Sequence, residues 1–209
     1  MKLINPSFEI LDYPRDALTR IEQAARTCYK SEDRITQGSA ENLVKRLVNL
    51  GHWPMIEFGG DIVVRFISNR GFTHELVRHR LCSFAQESTR YCNYSNGKFD
   101  GETSIIKLPD DYATDDAMFV MHAAYKYAEN CYMQLIDKGM PAQIAREVLP
   151  IGLKAEINIK ANLVEWRHIF KLRCSKRAHP RMRELMIPLL DEIHQRIPII
   201  FDDIYTDYI

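Results

Sequence analysis

The sequence predicts an α+β fold: one domain over residues 1–209, with a mainly antiparallel sheet packed by helices. Three observations carry this reading. Helical periodicities outnumber strand-like runs, two runs have the β-branched or alternating pattern of strands, and no repeat, low-complexity tract or Pro/Gly/Ser linker interrupts the chain. A chain of 209 residues with 46% apolar and 27% charged residues is long enough to bury one sizeable core and is neither disordered nor fibrous in composition.

Between Asp16 and Cys28 the apolar positions Ala17, Ile21, Ala24, Ala25 and Cys28 recur at helical spacing. A second helix is expected from Ala40 to Leu50, capped by Ser39 and stopped by Gly51. Residues 61–67, β-branched and aromatic and flanked by Gly59-Gly60 and by Ser68 to Gly71, read as a strand followed by a short helix from Phe72 to about His79. The longest helix is predicted from Tyr112 to Lys138, with Met118, Met121, Tyr125, Ala128, Tyr132 and Leu135 on one stripe that reads as core. Pro141 to Leu149 forms a short helix carrying Arg146. Ala155, Ile157, Ile159 and Ala161 then alternate with polar residues as a half-exposed strand, with Asn162 on the polar side. Two further helices are predicted, Val164 to Leu172 and Arg181 to Arg196, the second opened by Pro180 and kinked at Pro188.

Twenty-eight basic and 28 acidic residues cancel, so no global field draws the protein to nucleic acid or an anionic membrane, and any anion site is local. The N-terminus lacks the pattern of a signal peptide and no stretch approaches the ~20 apolar residues of a membrane span, so the cytoplasm is the expected compartment. The five cysteines (Cys28, Cys82, Cys92, Cys131, Cys174) contain no CxxC pair and indicate neither a disulfide framework nor a zinc knuckle.

The densest polar segment runs from Arg78 to Tyr91. Its three arginines and His79 offer donors to phosphate or an oxidised ring system, and Ser83, Gln86, Ser88 and Thr89 add short hydrogen-bonding groups. A solvated basic face is the competing reading of that composition. A second basic cluster, between Glu165 and Arg183, sets seven Lys/Arg against a single acid and is a candidate local anion site. His74 and His79 evoke a zinc helix, but five residues advance a helix by ~140° against ~40° for four, so no metal site is expected there. Cys82 beside Arg80 is the one candidate for an activated thiolate nucleophile. No G-x-G-x-x-G follows a strand and no P-loop lysine occurs, which leaves a Rossmann or Walker site out.

Arg78-His79-Arg80, followed by Ser88 and then Arg90-Tyr91, resembles the signature of the flavin-dependent thymidylate synthases. Gly51-His52 with Glu57, Arg146 within Ala145 to Pro150, Asn162 before a helix, and Arg173 in Leu172-Arg173-Cys174 fall in the same order and extend the resemblance over roughly residues 15 to 195. The resemblance implies reductive methylation of dUMP to dTMP without an enzyme nucleophile, with NADPH-reduced FAD as electron donor and methylenetetrahydrofolate as one-carbon donor. It implies FAD contacts at Arg78, His79, Arg80, Gln86, Asn162, His168, His52 and Glu57. It places dUMP among Glu75, Leu76, Val77, Arg78, Gln86, Glu87, Ser88, Thr89, Arg90, Arg146 and Arg173, with Arg90 and Arg146 nearest the phosphate and Arg173 promoting ionisation of uracil N3. A homotetramer with active sites at subunit interfaces is also implied. The chain departs from the commonest pattern at Glu75, Gln86, His168 and Arg177, where some members carry Gln, Glu, Asn and His. The competing functions are a nucleotide-binding protein on the same scaffold without turnover and a flavin oxidoreductase with another acceptor.

Overall fold

The computed structural model describes residues 1–209. Strands β1 (Lys2–Ile4) and β2 (Ser7–Asp12) open the chain, and helices α1 (Ala17–Tyr29), α2 (Ser39–Asn49) and α3 (Trp53–Ile56) follow. Strand β3 (Asp61–Asn69) runs directly into α4 (Arg70–Leu76), ahead of β4 (Ser83–Gln86), β5 (Ser104–Ile106), the long α5 (Asp115–Asp137) and the single turn α6 (Ala142–Ala145). Strand β6 (Lys154–Asn162) likewise runs directly into α7 (Leu163–Arg173), and α8 (Pro180–Arg196) and α9 (Pro198–Tyr208) complete the chain. The fold class is α+β, with a mainly antiparallel sheet of strand order β2-β3-β6-β4. Strands β1 and β5 pair separately and in parallel, Leu3 opposite Ile105.

The chain gathers into two compact units: residues 1–7, 66–78 and 84–158 form one, and residues 8–65, 79–83 and 159–209 the other. In the first, Tyr94, Ile105, Tyr132, Ala145 and Leu153 form a buried cluster. On helix α5 the predicted stripe is inward but only Tyr132 is buried: Met118, Met121, Tyr125, Ala128 and Leu135 are half-buried, while Phe119, Val120 and Tyr127 on another face are exposed. In the second unit, α7 packs against α8 and α9, and α1 against α2. Trp166 is fully buried there, donates its indole N–H to the Ile62 carbonyl at 3.1 Å, and lies 5.5 Å from the Phe170 ring. A side chain of that size, buried and satisfied, stabilises a core by about 3–5 kcal/mol relative to alanine.

The strand-to-helix junctions follow from one residue type. Asn69 ends β3 and its Oδ1 accepts from Phe72 N at 2.9 Å; Asn162 ends β6 and its Oδ1 accepts from Glu165 N at 2.8 Å. Each asparagine keeps an extended backbone while satisfying an orphan donor of the first helical turn, which lets a strand become a helix with no loop. Gly59, just before β3, cannot carry a side chain, because a Cβ there would sit 2.5 Å from Leu163 Cδ1.

Several boundaries differ from expectation for local reasons. Helix α2 begins at Ser39 itself, not after it: the residue before it is Gly38 at φ +79°, and the Ser39 hydroxyl is engaged by the buried Glu22 carboxylate at 2.8 Å. Helix α5 starts at Asp115 because Thr114 Oγ1 caps Ala117 N at 3.3 Å. The helix expected to reach His79 ends at Leu76, and Arg146 lies in a 3-10 turn after α6. Helix α8, by contrast, spans Pro180–Arg196 and runs through Pro188, as its predicted extent has it. Strands β1, β4 and β5 are too short for alternation to register.

Candidate active site

The site residues fall into two sets, one in each unit. In the first unit, α4 carries Glu75 and Leu76, Val77 and Arg78 follow it, Gln86 ends β4 and residues 87–90 follow that strand. Leu76 is fully buried, so only its backbone can face a ligand, whereas Val77 and Arg78 are exposed. Gln86 donates from Nε2 to Thr73 Oγ1 at 3.1 Å. Glu87 is turned to Lys154, whose Nζ lies 2.7 Å from its Oε2, and its carboxylate also accepts from Glu156 N at 3.3 Å. Its backbone carbonyl accepts from Arg70 Nη2 at 3.3 Å, which pins the segment between Gln86 and Ser88.

Ser88 Oγ accepts from Arg90 N at 3.3 Å, closing a tight turn that leaves the Arg90 side chain exposed, its guanidinium 5.4 Å over the Tyr91 ring. Arg146 donates from Nη1 to the buried Thr89 hydroxyl at 3.0 Å. Two guanidiniums, one exposed and one braced by a hydroxyl, are therefore offered from this unit, and their fork geometry suits a phosphate. No base faces Ser88, whose hydroxyl is occupied in shaping the turn.

The second unit holds the buried set. Arg173, at the end of α7, donates from Nε to His79 Nε2 at 3.0 Å. His79 is 5% exposed, its ring stands edge-on to His168 at 5.7 Å, and its Nδ1 lies 3.5 Å from Glu165 Oε1. Burial, with Arg173 and His168 nearby, pulls the His79 pKa down from 6.5 to about 4, so the ring is neutral at pH 7. Burial likewise raises the Glu165 pKa. Asn162 spends its side-chain oxygen capping α7 and has only its amide N–H groups left for a ligand. His168 and Arg80 are exposed, and Arg80, like Arg78, has no carboxylate partner. Exposed His52 lines a cavity of about 260 Å³ with Cys28, Tyr29, Leu47 and Met55, and Glu57 lies exposed in a following 3-10 turn.

Ligand atoms of His79, Glu165 and His168 lie within 4.8 Å of one another, a spacing that a cation could use. The Arg173 bond opposes it. A guanidinium only donates, so Nε2 of neutral His79 is the acceptor and Nδ1, facing Glu165, carries the proton instead of a lone pair. Cys82, 3.9 Å from Glu165 Oε1, is pushed up to about 12 by burial and that carboxylate, which removes it as a thiolate nucleophile despite its neighbour Arg80.

Glu165 and Thr73 are the site-building residues that sequence reasoning passed over. Glu165 sits three residues after an asparagine at a helix start, where an acid reads as ordinary capping; its burial beneath a histidine from a distant segment leaves no local signal.

The sequence profile of the thymidylate synthase complementing protein family matches residues 9–199. The chain belongs to this family. Among similar proteins, the flavin-dependent thymidylate synthase of Geobacter sulfurreducens is 29% identical over 200 residues, spanning 93% of this chain and 84% of its own length. That of Corynebacterium aurimucosum is 30% identical over 197 residues, spanning 88% and 79%. A UMP/dUMP methylase from Streptomyces cacaoi, bound with 5-Br dUMP, superposes with a TM-score of 0.77 at 21% identity over 100% of this chain and 98% of its own. Thymidylate synthase X from Helicobacter pylori, with FAD and dUMP, gives 0.76 at 21% over 96% and 99%. At these identities the two structures establish a shared fold.

Proposed function

We propose that this chain methylates dUMP to dTMP reductively, with methylenetetrahydrofolate as one-carbon donor and electrons from NADPH by way of FAD, giving tetrahydrofolate. The enzyme is a methyltransferase, as its relatives named flavin-dependent thymidylate synthases are. The observation that carries the reading is the Arg173–His79 bond: a permanent cation held in place by a neutral buried ring. Aimed at the uracil edge, that cation favours the N3-ionised ring and makes C5 more nucleophilic. Arg90 and Arg146 hold the phosphate, Thr89 braces Arg146, and Ser88 orients the nucleotide without attacking it. Glu75 to Arg78 and Gln86 to Glu87 complete the dUMP contacts.

The residues fit FAD. Arg78 and Arg80 are exposed guanidiniums lacking carboxylate partners, an arrangement that suits an anionic or electron-rich cofactor edge. His79, Gln86, Asn162, His168, His52 and Glu57 are the remaining contacts we assign to it. When bound, the flavin supplies the reducing electrons that the folate does not. Residues 1–209 act as one catalytic domain, and the working form is a homotetramer with active sites at subunit interfaces. Exposed Phe119, Val120 and Tyr127 on α5 support assembly, since apolar side chains clustered on one helix face are stabilised by a partner. No helix is long and apolar enough to cross a membrane, and we assign the cytoplasm as the compartment, in keeping with the five free cysteines.

The test is dTMP formation by purified protein given dUMP, methylenetetrahydrofolate and NADPH, with and without FAD, following the folate product. FAD-dependent dTMP with tetrahydrofolate is the expected result. Binding of FAD and dUMP without dTMP would replace the reading with a nucleotide-binding protein, and NADPH oxidation indifferent to dUMP with an oxidoreductase. A monomeric mass by light scattering, with FAD bound, would defeat the tetramer.

A further inference from the structure

The first turn of α7 presents one buried carboxylate to two groups from the segment 79–83. Asn162 caps the helix through Glu165 N, and Glu165, 6% exposed, receives the Cys82 thiol at 3.9 Å and faces His79 Nδ1 at 3.5 Å, all on Oε1. The opposite nitrogen of the same ring accepts from Arg173 Nε at 3.0 Å. Three side chains thus stand in a row: Glu165, His79, Arg173.

A neutral imidazole has one donor and one acceptor nitrogen, and the partner of one nitrogen decides the state of the other. If the proton sat on Nε2, two N–H groups would meet at 3.0 Å and Nδ1 would turn a lone pair toward a carboxylate. Both contacts would be repulsive, in a pocket where water cannot soften them. With the proton on Nδ1, both are attractive.

We propose that Glu165 is a positioning residue for Arg173: its carboxylate fixes the Nδ1–H tautomer of His79, and His79 so fixed holds the Arg173 guanidinium at the angle its work on the uracil ring requires. The proposal rests on the role of Arg173 in the reaction given above. Glu165 acts through two intervening contacts and transfers no proton in turnover. The ring's low basicity keeps it an acceptor throughout the working pH range, so the orientation of Arg173 is set before substrate arrives.

The test combines substrate-free spectroscopy with steady-state kinetics on the FAD-loaded enzyme. In protein carrying nitrogen-15-labelled histidine, His79 is expected to show an Nδ1–H ring; an Nε2–H ring in the wild type overturns the proposal without any variant. Glu165→Gln keeps a carbonyl oxygen for Nδ1–H and should retain the tautomer and most of kcat. Glu165→Leu removes the acceptor and should mix the tautomers and lower kcat about tenfold, about 1.4 kcal/mol, with a smaller change in the KM for dUMP. Glu165→Asp keeps the charge and suits the helix start but draws the carboxylate back by one methylene. It should lower kcat several-fold at unchanged Tm, and it decides the matter if Glu165→Leu does not fold. Wild-type kcat and tautomer in Glu165→Asp and Glu165→Leu overturn the proposal, as does an equal loss in Glu165→Gln and Glu165→Leu. A wild type that forms no dTMP defeats the reaction and not this geometry, which the histidine spectrum then judges alone.

Discussion

The Nε–H of Arg173 points at Nε2 of His79 from 3.0 Å, so the aim of a permanent cation depends on whether a neighbouring ring keeps its lone pair. The folded protein holds that ring neutral down to about 4, whereas the unfolded chain protonates it near 6.5. Between those values the unfolded state binds the extra proton. Stability from this group is therefore full above pH ~6.5 and falls as pH drops toward 4, by up to about 3 kcal/mol. Thermal unfolding is expected to show a lower Tm at pH ~5 than at pH ~7, with the drop reduced in His79→Gln; an unchanged drop in that variant assigns it to other groups.

Replacing Arg173 with alanine should lower kcat/KM for dUMP by about 10- to 150-fold, the worth of one charge-assisted bond at about 1.5–3 kcal/mol. Arg173→Lys should not restore it, because an ammonium lacks the planar fork that reaches a histidine and a uracil edge together. Wild-type turnover in either variant contradicts the assigned role.

Thr89→Val removes the hydroxyl that braces Arg146 and keeps the shape. About 1 kcal/mol of lost orientation should raise the KM for dUMP about fivefold with little change in kcat. Ser88→Ala should leave measurable turnover, since that hydroxyl shapes a turn. Complete loss with dUMP binding intact would restore a nucleophilic role to the serine.

Thiol reactivity should separate the cysteines. Cys82 and Cys174, both pushed up to about 12 by burial, are expected to resist alkylation at neutral pH, while exposed Cys28 labels first. Peptide mapping after brief iodoacetamide treatment reads the order, and Cys82→Ser should keep turnover.

Away from the site, Asp203 holds the buried Arg167 through two bonds of 2.7 and 2.6 Å, and Arg167 also lies 4.3 Å over the Trp53 ring. Asp203→Ala leaves that cation without its counter-ion. With half of the Asp203 side chain exposed, the loss should be about 2 kcal/mol by denaturant titration.

Much of this molecule is legible in its sequence. Ala155, Ile157, Ile159 and Ala161 alternate inward as their spacing predicts, and the main helices fall within a few residues of their periodicities. Reading failed where the cause is not local. Ser39 looks like a cap, yet its hydroxyl is drawn to Glu22 on another helix. Strands β1 and β5 need each other, about a hundred residues apart, and neither carries a pattern alone. Arg173 and His79 stand out as site residues by motif, but the proton arrangement between them depends on Glu165, whose burial only the fold reveals.

Both nine-residue strands pass into their helices through an asparagine, with no residue between. Most protein sites evolve new tastes by growing, shrinking or reshaping the loops around them. Here two of the joints beside the site have nothing to lengthen: an added residue would move the cap off the first turn and rotate everything downstream, Glu165 included. At these two joints descendants of this chain can change what they accept only by exchanging side chains, on a frame whose measurements are already spent.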